Sequence, residues 1–125
     1  MSLSKWRLEK AQNTYKEGQH LLEIGLYNGA VNRFYYAAFH GIRALLATKK
    51  LDSPKHSGII ALFNKEFVKT GIMSKESSKI ISKAFSERSH ADYDDFKQFT
   101  CEEVLELSTE VNKLLLEIKE EIEKA

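Results

Sequence analysis

Within residues 28–46 of this 125-residue chain, Arg33, His40 and Arg43 stand on a stretch that holds no Asp or Glu. A guanidinium presents a fork of N–H donors that fits a phosphate or a carboxylate. An imidazole changes charge near neutral pH and serves as donor or as general acid/base. The stretch Asn28–Leu46 is apolar around most of its circumference, and a helix of that kind is buried. Buried cations are costly unless something pairs with them. At 100° per residue, Arg33 and His40 lie about 20° apart, with Asn32, Tyr36 and Arg43 within roughly 100° on the same side. Ala30, Val31, Phe34, Tyr35, Ala38, Ile42, Leu45 and Leu46 fill the remaining arc. Two readings follow. Either the stripe is an anion or nucleotide site, with Arg33 as phosphate fork and His40 as donor or general acid/base, or it reaches solvent and pairs with carboxylates of other helices.

Arg88 poses the same choice. It follows Ile81 by seven residues and Ala84 by four on an apolar stripe. There it either caps helix carbonyls or pairs with Asp92 or Asp94, or else joins a ligand site. His56 falls in the first turn of another apolar stripe, as a boundary residue or a ligand-binding one. His90 projects about 200° from Arg88 if the helix reaches it. Glu17-Gly-Gln-His20 and Glu87-Arg-Ser-His90 both match Glu-x-x-His, the spacing of di-iron bundles. His20 projects away from the inner face, however, and the acid-free helix offers no ligand, so no metal centre is expected. No Gly-rich phosphate loop, Ser-His-Asp order or Cys-His arrangement is present.

The elements that must position these groups read as five helices. Leu8, Ala11, Tyr15, Gly18, Leu22 and Gly25 form the inner face of a first helix over Ser4–Ile24. Leu26–Gly29 makes a turn, and the second helix covers Gly29–Lys49. Ser53 as cap and Pro54 at the first helical position predict a third helix over Pro54–Lys69, stopped by Gly71. Its stripe is His56, Ile60, Phe63 and Phe67. Ser74 caps a fourth helix, Lys75–Ser89, with Ile81, Ala84, Phe85 and Arg88 inward. Ala91–Gln98 reads as an acidic and aromatic connection. Thr100 and Glu103 form a capping box for a fifth helix. Its seam is Val104, Leu107, Val111, Leu114, Leu115, Ile118 and Ile122; it packs along the bundle or, on a weaker reading, against another subunit. Short connections favour antiparallel neighbours. The expected fold is all-α, a single domain over 1–125: an antiparallel up-and-down bundle of four to five helices with the second helix at its centre.

Composition narrows the classes. Net charge is +1, from 19 basic and 18 acidic side chains, so any nucleic-acid contact must be a local patch. The lone Cys101 excludes an intrachain disulfide or a Cys-based zinc site and reads as an ordinary residue in the first turn of a helix. Met1–Lys5 leads into an amphipathic stretch without a secretory leader. No apolar run approaches the roughly 20 residues that span a bilayer. A soluble cytoplasmic protein without membrane contact is expected.

The run Leu26-Tyr27-Asn28-Gly29-Ala30-Val31-Asn32-Arg33-Phe34-Tyr35-Tyr36-Ala37-Ala38-Phe39-His40 resembles the signature of the HEPN domain, in particular its small stand-alone subgroup. His56-Ser57-Gly58, Phe63–Phe67 and Ala84–Tyr93 agree in order and spacing. The resemblance implies an antiparallel bundle, often a homodimer, encoded beside a minimal nucleotidyltransferase and acting in toxin–antitoxin or RNA-defence pairs. Active relatives are metal-independent endoribonucleases with an Arg-x(4–6)-His motif at the dimer interface. Here Arg88 supplies the arginine, but Tyr93, Asp94 and Asp95 occupy the positions of the histidine. A phenol is a poor proton shuttle at neutral pH, though it still donates a hydrogen bond. The expectation is a module that binds nucleotide, RNA or a nucleotidyltransferase partner through Asn32, Arg33, Tyr36, His40, His56, Arg88 and Tyr93, without catalysis and without a cofactor. Cleavage by Arg88 with a histidine from elsewhere, His40 or His90, is the first alternative; a purely structural dimerisation module is the second.

Overall fold

The computed structural model describes residues 2–124, and among them every regular element is helical. The elements are α1 (Leu3–Glu23), α2 (Tyr27–Ala47), α3 (His56–Phe63), α4 (Lys75–Tyr93) and α5 (Cys101–Lys124). A π-helical turn, Asn64–Val68, continues α3. Cross-contacts give the directions. Ser4 Oγ donates to the Ala44 carbonyl near one end of the α1–α2 pair, whereas Gly18 abuts Phe34 near the other, so these helices are antiparallel. Asn32 meets Asp92 and Tyr36 meets Arg88, so α2 and α4 are antiparallel. Lys83 meets Glu110 and Glu76 meets Lys113, so α4 and α5 are antiparallel as well. The result is an up-down-up-down bundle with α3 as a short side piece.

The second helix is the central member. It packs on α1, α3, α4 and α5 and buries twelve of its residues. The whole predicted seam of α5, from Val104 to Ile122, is buried against it and its neighbours. Gly41 makes the α2–α5 contact possible: a Cβ there would come within 2.7 Å of a Leu115 methyl and 3.2 Å of Ile118. Burying the large apolar side chains of this core supplies the main stabilisation, at about 25 cal/mol per Å² of apolar surface removed from water.

Local chemistry sets the ends. Ser74 Oγ accepts from the Ser77 N–H, and its own N–H and hydroxyl donate to Glu117, tying the start of α4 to α5. Thr100 and Glu103 form the expected reciprocal box at 3.2 and 3.1 Å. Gly71 stops the chain after α3 with a φ of +80°. Cys101 is exposed as the first residue of α5.

Two predicted boundaries move. The third helix starts at His56 with Lys55 as its cap, two residues past the expected Pro54. Asp52 accepts the Ser53 N–H and is held by Arg7 and Arg43, so 52–55 is fixed as a turn before any helix can begin. The fourth helix runs on to Tyr93, through the first three residues of what reads as a connection. No Gly or Pro interrupts it, and the i,i+4 pairs Arg88–Asp92 and His90–Asp94 support the added turn. Smaller shifts affect faces: Ile59 is the buried position of α3 where the stripe named Ile60, and Gly25 lies in the α1–α2 turn with a φ of +78°. No helix among the described residues is long and apolar enough to cross a membrane.

Candidate functional site

Tyr36 is the centre of the site. It sits midway along α2, where the face between α1 and α4 is left half-covered. The Arg33 guanidinium lies 5.3 Å from its ring centroid and the Arg88 guanidinium 5.4 Å, so two cations flank one ring. Arg88 Nη2 also donates to the Tyr36 hydroxyl at 3.1 Å. The rings of His40 and His56 stand 6.0 and 5.8 Å from that of Tyr36. The face of an aromatic ring attracts cations, and this attraction helps hold both arginines in place.

Counter-charges come from other elements. Arg88 Nε lies 2.8 Å from Asp92 Oδ2 as an ion pair, but the N–H is not aimed for a hydrogen bond and finds no other acceptor. Asn32 bridges the two arginines: its amide nitrogen donates to Asp92 and its oxygen accepts from Arg33 Nη2 at 2.7 Å. Glu17 of α1 stands 3.8 Å from Arg33, a loose and exposed pair of little energetic weight. The carboxylate pairing weighed for Arg88 is therefore present, with Asp92 as partner.

Both imidazoles are neutral at pH 7. Burial, then the positive charges of Lys10, Arg43 and Arg33 and competition with the His56 proton, pull His40 down to about 4. Burial and the charges of Arg88 and Arg43 also lower His56. Beneath the site Tyr35 is fully buried and its hydroxyl lies 2.8 Å from His56 Nδ1. Burial outweighs the pull of Arg88 and raises the Tyr35 phenol well above its ordinary value, so it keeps its proton and donates it to Nδ1. That assignment leaves the His56 proton on Nε2. The His56 ring is stacked on Phe39 at 4.1 Å.

The structure thus gathers Asn32, Arg33, Tyr36, His40, His56 and Arg88 around one ring. Tyr93 joins at the rim: it is 76% exposed, with the Arg88 guanidinium 6.0 Å from its centroid. His90 does not join; it is exposed and faces Asp94 at 3.9 Å. Sequence reasoning gave Tyr35 to the core and missed its bond to His56. It considered Glu17 only as a metal ligand. The helical projection places Tyr35 on the core side of α2, yet its ring meets that of Tyr36 at 5.1 Å and the Arg88 guanidinium at 5.6 Å.

This arrangement suits recognition of a phosphate or another anion. Two guanidinium groups supply forked donors and charge, a third donor comes from His56 Nε2, and neutral His40 is available to accept a proton.

A family model for the HEPN domain matches residues 4–122. A "UPF0332 protein" of Thermotoga maritima is 41% identical over 99 residues, 79% of this chain and 74% of that relative. A second "UPF0332 protein", from Archaeoglobus fulgidus, is 33% identical over 92 residues, 74% of this chain and 73% of its own length. A protein of Methanocaldococcus jannaschii named "Putative toxin" is 39% identical over 87 residues, 70% of this chain. The chain spans 59% of that toxin-named relative, less than two thirds of its length. The match over almost the full sequence, with the helical bundle that carries it, places this chain in the HEPN domain family.

Proposed function

We propose that this chain is the HEPN component of a toxin–antitoxin or RNA-defence type pair, binding the phosphate of a nucleotide or RNA at the Tyr36 cluster without cleaving it. One observation carries the reading: Arg33 and Arg88 flank a single tyrosine ring, with two neutral imidazoles at its edges. Asp92 and Asn32 occupy the inner faces of these arginines, and an incoming phosphate takes their place. The position five residues after Arg88 holds the exposed phenol of Tyr93 in place of a histidine, which supports binding over cleavage. The toxin names of relatives support the assignment to a paired system. A homodimer and a minimal nucleotidyltransferase partner complete the proposal. Fluorescence anisotropy with a labelled single-stranded RNA and with adenine nucleotides tests it. Arg33→Ala and Arg88→Ala are each expected to weaken binding about tenfold. Absence of binding by the unaltered protein to nucleotides, to RNA and to a co-expressed genomic neighbour refutes the proposal.

A second reading rests on Arg88 and His40 contacting the same ring. Neutral His40 could take a ribose 2′-hydroxyl proton while Arg88 stabilises the phosphorane charge. RNA cleavage in EDTA, lost in both Arg88→Ala and His40→Ala, is its signature. No cleavage by the unaltered protein, or equal cleavage by the variants, removes it.

A further inference from the structure

The turn that leads into α3 closes a second cleft, about 570 Å³, against the C-terminal half of α2. Phe39 and Arg43 form one wall and residues 52–56 the other. Its charge is unbalanced. Arg7 and Arg43 both reach Asp52 Oδ2, at 3.5 and 3.2 Å, and Lys55 stands on the same lining. Asp52 is the one carboxylate in that lining, against Arg43 and Lys55 there and Arg7, which reaches Asp52 from outside the lining. Arg43 Nε is moreover buried without an acceptor. The cleft on the other side of His40 differs, because there Glu9 and Glu17 balance Lys10 and Arg33. His56, the first residue of α3, also lines the Arg43 cleft, and the cap residue, Lys55, supplies no side-chain acceptor for the leading N–H groups. The stacked pair Phe39–His56 gives the cleft an apolar wall.

The cleft is net positive by its own lining, and Arg7 behind Asp52 adds to the field, which suits a phosphate. Forked guanidinium donors and leading helix N–H groups are both suited to its oxygens. We propose that this cleft is a second anion site, distinct from the Tyr36 cluster, that takes the phosphate of a small phosphomonoester whose planar organic part lies against Phe39 and His56. The site stands independently of RNA binding at Tyr36.

Phenyl phosphate and inorganic phosphate are the probes, followed by amide NMR of the full chain. The Ser57 and Gly58 amides are expected to shift saturably, with phenyl phosphate binding the tighter of the two. Arg43→Gln should weaken binding about tenfold and the exposed Lys55→Ala about threefold, while Arg33→Ala stays within about twofold. His56 is left unaltered because its ring touches both sites. If Arg43→Gln does not fold, Lys55→Ala alone decides. Unsaturable shifts overturn the proposal, as does a loss in Arg33→Ala equal to that in Lys55→Ala.

Discussion

At neutral pH the imidazole of His40 is uncharged because burial and four neighbouring cationic or titratable groups oppose its proton. The unfolded chain has no such constraint and takes that proton near pH 6.5. Between pH 6.5 and about 4, therefore, the unfolded state binds more protons than the fold, and stability falls as pH falls through that window. His56 shifts in the same direction and adds to the loss. Since His40 is only partly buried, the expected effect is about 1 kcal/mol. Urea midpoints at pH 7.5 and 5.0 measure it, and His40→Gln should narrow the difference. A bound phosphate reverses the balance, because an anion favours imidazolium. Proton NMR should find the His40 titration moved upward in the presence of a nucleotide; an unmoved titration would separate the ligand from His40.

Helix contacts set the tolerance of the bundle. Gly41→Ala places a methyl within 2.7 Å of Leu115 and should cost about 1–3 kcal/mol in a denaturant melt, although Ala favours helix intrinsically. Ser74→Ala removes the α4 cap and a bond to Glu117, a loss of about 1 kcal/mol. The caps at Ser74 and Thr100 and the α5 seam were readable from sequence because each depends on neighbours a few residues apart. The start of α3 was not: Ser53-Pro54 carries a helix-start pattern, but Asp52, held by Arg7 from forty-five positions away, fixes the turn. The same limit applies to the site. Projection of one helix found Arg33, Tyr36 and His40. The closure of that stripe by Arg88, Asp92 and His56 is a tertiary fact.

Across the whole molecule charge is nearly balanced, at +1, so long-range steering toward a polyanion is weak. The salt dependence of RNA binding should therefore reflect local contacts alone, with a log–log slope of about −1.4 for two phosphate-bound arginines on a single strand. A slope several times steeper would place the interface elsewhere. Sedimentation at low and high protein concentration checks the proposed homodimer. The acid-free character of α2 has one more consequence. Glu17 of α1 pairs with Arg33 and Asp52 of the turn before α3 with Arg43, while Asp92 of α4 reaches the stripe through Asn32, so these three acids all belong to other segments. Ligand strength can thus be retuned over generations by single exchanges at these three outlying positions, while the densely packed central helix keeps its sequence.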